Sequence, residues 1–175
     1  LTMVENLLSV TRIQDERGVA TVIKTEESLE EVISSAVGRF RKRFPEVQVQ
    51  VCIPESFIMV PMDATLIEQV INNLLENAYF HSGSHGPIDL QASVDGPYVS
   101  IAIRDQGNGI RPELLGTLFD GGGVSDNQTG DSHKGMGIGL TLCKTIINAH
   151  GGHIEASNYD KGALFTFTLP DWREY

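Results

Sequence analysis

Three short segments combine residue types and spacings that could do chemistry. In DQGNGI, residues 105 to 110, Asp105 ends a strand-like run and is followed at once by Gly107 and Gly109. Glycines in such a turn let the backbone approach a flat ligand closely and take positive φ without strain. An ionised carboxylate at the base of that pocket accepts hydrogen bonds from an exocyclic amine, the group that separates adenine from guanine. In KGMGIGL, residues 134 to 140, Gly135, Gly137 and Gly139 run directly into a helical pattern. The free N–H groups and partial positive charge of a helix start form an anion site, to which Lys134 adds a full charge. The spacing matches neither a P-loop nor a dinucleotide-binding fingerprint. The third segment, INNLLENAYFHS at 71 to 82, sets Asn72, Asn73 and Asn77 among leucines and isoleucines. Taken singly, the three are also what a loop aspartate, a glycine hinge and a satisfied core amide look like.

The helix that must carry these asparagines is legible from its period. At about 100° per residue, Leu66, Ile67, Val70, Ile71, Leu74, Leu75, Ala78 and Tyr79 share one broad apolar arc. Asn77 falls inside the arc and Asn73 at its edge, whereas Asn72 points elsewhere and reads as solvated. A buried amide without partners costs roughly 1–3 kcal/mol, so Asn77 requires something to compensate it.

The surrounding elements follow from pattern and punctuation. Residues 1 to 17 carry a helical stripe through Met3, Val4, Leu7, Leu8 and Ile13, the tail of a longer helix. VATVIKT (19–25) suits a short strand, and Ser28 with Glu31 forms a possible capping box before a helix that Pro45 closes. VQVQVCI (47–53), IDLQASV (88–94) and VSIAI (99–103) alternate as half-buried strands, the last two joined by an Asp95-Gly96-Pro97 hairpin. After a short helical RPELLGTLF comes the glycine-rich, almost wholly polar stretch 120–137, of the kind that serves as a lid or is disordered. A helix then runs through Leu140, Cys143, Ile146 and Ile147 to the stop at Gly151-Gly152, and HIEASN and ALFTFTL form a closing antiparallel pair. The order predicts an α+β fold, a two-layer sandwich with helices on one face of a mixed, mostly antiparallel sheet.

The 175 residues suit one domain, or one domain with an appendage, and are 41% hydrophobic, an ordinary globular composition. A formal charge of −10 argues against a nucleic-acid surface, which needs clustered Lys and Arg. Cys52 and Cys143 show neither metal-ligand spacing nor a disulfide framework, which suits a reducing cytoplasm. No apolar run approaches the ~18 residues of a membrane span.

Together, NNLLENA, DQGNGI, the Leu118-Phe119 pair and GMGIGL, in this order, resemble the N, G1, F and G2 boxes of the histidine-kinase branch of the GHKL, or Bergerat, ATP-binding fold. The resemblance covers about residues 19 to 170, with details most like the potassium-responsive Kdp-type sensor kinases. It implies an ATP-binding catalytic domain over 18–175, preceded at 1–17 by the end of a dimerisation and phosphoacceptor-bundle helix. It implies ATP and Mg²⁺ as cofactors, with Asp105 on the adenine amine, Gly107, Gly109 and Ile110 shaping that pocket, and Asn77 as the Mg²⁺ ligand through its side-chain oxygen. Asn73 contacts phosphates or water beside it, and residues 120 to 137 become the ATP lid. Lys134, Gly135, Met136, Gly137, Gly139 and Leu140 then hold the triphosphate at the helix start. Many relatives carry Lys-Tyr where this chain has Phe80-His81, which leaves Lys134 or His81 as the phosphate cation, and a threonine where Ala163 stands.

The phosphoacceptor box, a histidine followed by Glu or Asp, is absent, because the histidines here precede Ser82, Gly86, Lys134, Gly151 and Ile154. The resemblance therefore implies a donor to a histidine helix of the same or a partner subunit, and then to a response regulator, within a membrane-associated homodimer whose catalytic part is cytoplasmic. Two rival readings remain: an ATP-hydrolysing relative of the gyrase and chaperone kind, and an interaction module that has lost nucleotide binding. The hydrolases carry a glutamate general base four residues before the Mg²⁺-binding asparagine, and here that residue is Asn73.

Overall fold

In the computed structural model the described residues are 22–54, 57–81, 86–120, 134–159 and 161–171. The segment 1–17 and residues 121–133 of the expected lid lie outside them. The chain runs β1 (Thr25–Ser28), α1 (Leu29–Arg43), β2 (Val49–Cys52), β3 (Met59–Met62), α2 (Ala64–His81), β4 (Ile88–Asp95), β5 (Tyr98–Arg104), the single turn α3 (Pro112–Leu115), α4 (Lys134–Ala149), β6 (His153–Tyr159) and β7 (Gly162–Pro170).

Among the described residues five strands form one sheet in the order β2-β4-β5-β7-β6, with β2 parallel to β4 and every other pair antiparallel. Alternation decides its two faces. Leu90, Ile103, Phe165 and Ala156 lie abreast across four strands, and so do Ala92, Ile101, Phe167 and Ile154. These rows belong to the core that the helices cover, with α2 packed between α1 and α4.

Local chemistry sets the element ends. Ser28 caps α1 by accepting the Glu31 N–H at 3.4 Å, and Arg41, Lys42 and Arg43 complement the helix dipole at its other end. Asp63 caps α2, its carboxylate accepting the Leu66 N–H at 3.2 Å. Gly151, at φ +79°, ends α4 in a Schellman arrangement, with Gly152 N–H donating to Ile147 O and Gly151 N–H to Asn148 O. Gly96, at φ +58°, turns β4 into β5 as expected.

The structure departs from expectation at the N-terminal side. Of the strand expected over 19–25, residues 19–21 lie outside the described residues and 22–24 are in no strand; the strand begins at Thr25 and runs to Ser28, pairing with β3 in a separate two-stranded sheet. Residues 59–62, MVPM, carry no alternation signal because Pro61 interrupts them; a short two-stranded ribbon tolerates the missing donor. In β2 only Val49 is buried and Val51 is exposed, since this strand lies at the sheet edge and its alternation marks no covered face.

Candidate functional site

Asp105 is buried because the two-residue period of β5 continues past the strand end. Ile101 and Ile103 face the core, and Asp105 takes the next inward position, with 3% of its surface exposed. Its Oδ1 accepts two backbone N–H groups, from Gly107 at 2.9 Å and from Ala163 on β7 at 3.1 Å. Its own N–H donates to Ala163 O at 3.1 Å. With Oδ1 committed to the protein, Oδ2 is the carboxylate atom left to face a ligand. Gly107 contributes its N–H, while Gly109, at φ +79°, needs its conformational freedom to turn the chain toward Ile110.

Close backbone packing completes this loop. A Cβ on Gly162 would lie 1.9 Å from Asp105 O, and one on Gly86 would lie 2.8 Å from Gln106 Cγ. Glycine is therefore dictated at both positions by the approach of the β6–β7 hairpin and of the segment before β4.

Helix α2 delivers the amides. Asn77 is buried, as the period implied, and so is Asn73, which the period put at the edge of the arc; Asn77 Oδ1 and Asn73 Nδ2 have no hydrogen-bond partner among the described residues. An acceptor orphaned in the interior is costly unless a ligand meets it. Asn72 proves half-buried rather than solvated, its Nδ2 donating to Glu68 O at 3.0 Å one turn back. Glu76, the neighbour of Asn77, pairs with Arg43 at the end of α1.

Helix α4 closes against the amides. Gly139 faces Asn73, and a Cβ added there would sit at an ordinary 3.7 Å from Asn73 Cγ. Burial pushes the Cys143 thiol, one turn further along, up to about 12. Lys134, Gly135, Met136 and Gly137 occupy the first turn of α4, with Gly139 and Leu140 directly behind, so the expected glycines lie within the helix start. His81 is the last residue of α2. The side chains of His81 and Lys134 lie outside the described residues.

Sequence reasoning missed three contributors: Gly162, the Ala163 N–H and Asn158, whose amide bonds the backbone of Ile110. Of these positions the resemblance had singled out 163 alone, as the place of a threonine in many relatives.

A two-layer sandwich with a buried aspartate at a strand end, paired amides on a covering helix and a glycine-rich helix start defines a class of nucleotide-binding domain. The chain belongs to the family described as Histidine kinase-, DNA gyrase B-, and HSP90-like ATPase, whose model matches residues 62–173. Within it, the chain is a histidine-kinase-type catalytic domain, homologous to sensor kinases. It is 41% identical over 171 residues to the sensor protein KdpD of Clostridium acetobutylicum, covering 97% of this chain and 19% of the relative. The sensor protein KdpD of Escherichia coli (strain K12) is 34% identical over 169 residues, 96% of this chain and 18% of the relative. The chain thus spans about a fifth of the length of these two relatives. Among solved structures, the nucleotide-free catalytic domain of histidine kinase ThkA superposes with a TM-score of 0.73 at 27% identity, covering 86% of this chain and 97% of that one.

Proposed function

We propose that this domain binds MgATP and passes the γ-phosphoryl group to a histidine on a helix of the same or the partner subunit, for relay to a response regulator. The observation that carries the nucleotide reading is Asp105: a buried carboxylate with one oxygen held by two backbone N–H groups and the other used by neither of them. In that geometry Asp105 accepts the adenine amine, and Gly107, Gly109 and Ile110 line the base. Asn73, Lys134, His81 and the start of α4 at Gly135, Met136, Gly137, Gly139 and Leu140 serve the phosphates, under a lid that spans 120–137.

The residues present fit a magnesium ion. Asn77 Oδ1 is a hard oxygen, buried and without a partner, which is the donor such an ion takes. Bound there, Mg²⁺ would neutralise phosphate charge and orient the triphosphate; Asn77 would hold it.

Phosphoryl transfer asks the protein chiefly for positioning and charge neutralisation. A histidine ring nitrogen forms the new bond to Pγ as the bond to the bridging oxygen breaks and ADP departs with the electron pair. Hydrolysis would require a base to take a proton from water, and neither neighbour of Asn77 serves. Asn73 is an amide, and Glu76 pairs with Arg43. By the same reading residues 18–175 are the catalytic domain of a cytoplasmic portion, and 1–17 the end of a bundle helix in a membrane-associated homodimer. Among the described residues no helix is long and apolar enough to cross a membrane. The test supplies the histidine helix and a response regulator in trans with labelled ATP. Label should appear on the histidine and then the regulator; brisk, Asn73-dependent phosphate release without transfer would favour a hydrolase instead.

A further inference from the structure

Asn158, at the end of β6, uses its whole amide on one residue of the loop that follows Asp105. Its Nδ2 donates to Ile110 O at 2.7 Å, and its Oδ1 accepts the Ile110 N–H at 2.6 Å. A side-chain amide satisfying both backbone groups of one residue acts as a neighbouring strand would, and it fixes that residue's position in two dimensions. The amide also lies close to Gly109, where an added Cβ would come within 2.7 Å of Oδ1.

The register explains what this achieves. Asn158 pairs with Ala163 across the β6–β7 ladder, and Ala163 is the residue whose backbone both donates to and accepts from Asp105. A single cross-strand pair therefore holds both ends of the loop from Asp105 to Ile110. Ala163 fixes the carboxylate end and Asn158 fixes the Ile110 end.

We infer that Asn158 is a positioning residue for nucleotide-base selection, clamping Gly109-Ile110 at a set distance from the Asp105 carboxylate so that a 6-amino purine fits and a 6-oxo purine does not. The inference rests on the proposed role of Asp105. Without the clamp, the loop keeps its aspartate end and loses the register of its far wall. Base discrimination then falls, while the phosphate side of the site is untouched.

Calorimetry with ATP and with ITP, which carries an oxygen in place of the exocyclic amine, tests this on the full chain. N158A should weaken ATP binding about tenfold, with little change for ITP, because one or two net hydrogen bonds position the loop. N158D keeps the shape, replaces the donor by an oxygen facing Ile110 O, and should lose at least as much. Melting temperature should stay near wild type, since Asn158 is an exposed residue at a strand end. An unchanged ATP-to-ITP ratio in both variants, or an equal loss for both nucleotides with a large fall in melting temperature, overturns the inference. D105N in parallel separates the two readings. If D105N loses ATP and the Asn158 variants do not, only the clamp fails; if D105N binds ATP as wild type does, both fail.

Discussion

Replacing Asp105 by asparagine changes one atom and one charge, and the structure determines which way the new amide must face. Oδ1 accepts from Gly107 at 2.9 Å and Ala163 at 3.1 Å, so an asparagine that turned its NH₂ toward them would set donor against two donors. The carbonyl oxygen therefore keeps the Oδ1 position, and the NH₂ replaces Oδ2 on the ligand side. There it meets the exocyclic amine as a second donor. The loss is one hydrogen bond to a charged acceptor, about 1.5–3 kcal/mol, which corresponds to roughly 10- to 150-fold in Kd. Fold stability should barely move, because both internal hydrogen bonds survive. Titration calorimetry with MgATP on wild type and D105N, paired with thermal melts, reads both quantities. Equal affinities would refute the adenine assignment, and a collapse in melting temperature would refute the orientation argument.

Three further predictions follow from neighbouring features. N77A removes an orphaned buried acceptor and adds helix propensity, so the ligand-free protein should gain about 1 kcal/mol while its stabilisation by MgATP shrinks; full MgATP stabilisation in N77A would exclude Asn77 as the ion's ligand. G162A places a Cβ 1.9 Å from Asp105 O, against backbone that has nowhere to go, and should cost about 2 kcal/mol together with ATP affinity, checked by urea melts and calorimetry. His150 is buried with Nδ1–H donating to Ile146 O at 2.7 Å and Nε2 accepting the Asp63 N–H at 3.0 Å, so it folds neutral, and burial lowers it from 6.5. An unfolded imidazole takes up its proton near pH 6.5 and the folded one only below that. The stabilisation is therefore complete above pH 6.5 and is lost as pH falls toward the depressed value, by at most ~1.4 kcal/mol per pH unit. Urea midpoints between pH 7 and 5 should fall less steeply for H150N than for wild type, and parallel slopes would assign the pH dependence elsewhere.

What was legible and what was not divides by distance along the chain. The α2 arc lies in the core as its period demanded: Leu66, Ile67, Val70, Ile71, Leu74, Leu75 and Ala78 are all buried. Ser28 caps α1, Gly96 turns β4 into β5 and Gly151 stops α4, because caps and turns are written in adjacent residues. The β1–β3 ribbon was not legible, since four-residue strands, one containing Pro61, carry too little pattern to outweigh their surroundings. Residue order also implied that Asn77 falls within the buried arc, because period alone orients side chains. That Oδ1 of Asp105 is held by Ala163, 58 residues away, and that Asn158 clamps Ile110 across 48, only the tertiary structure decided. Those contacts depend on the strand order that places β7 beside β5 and β6 beyond it, a pairing set by burial of the whole sheet face and written in no single segment.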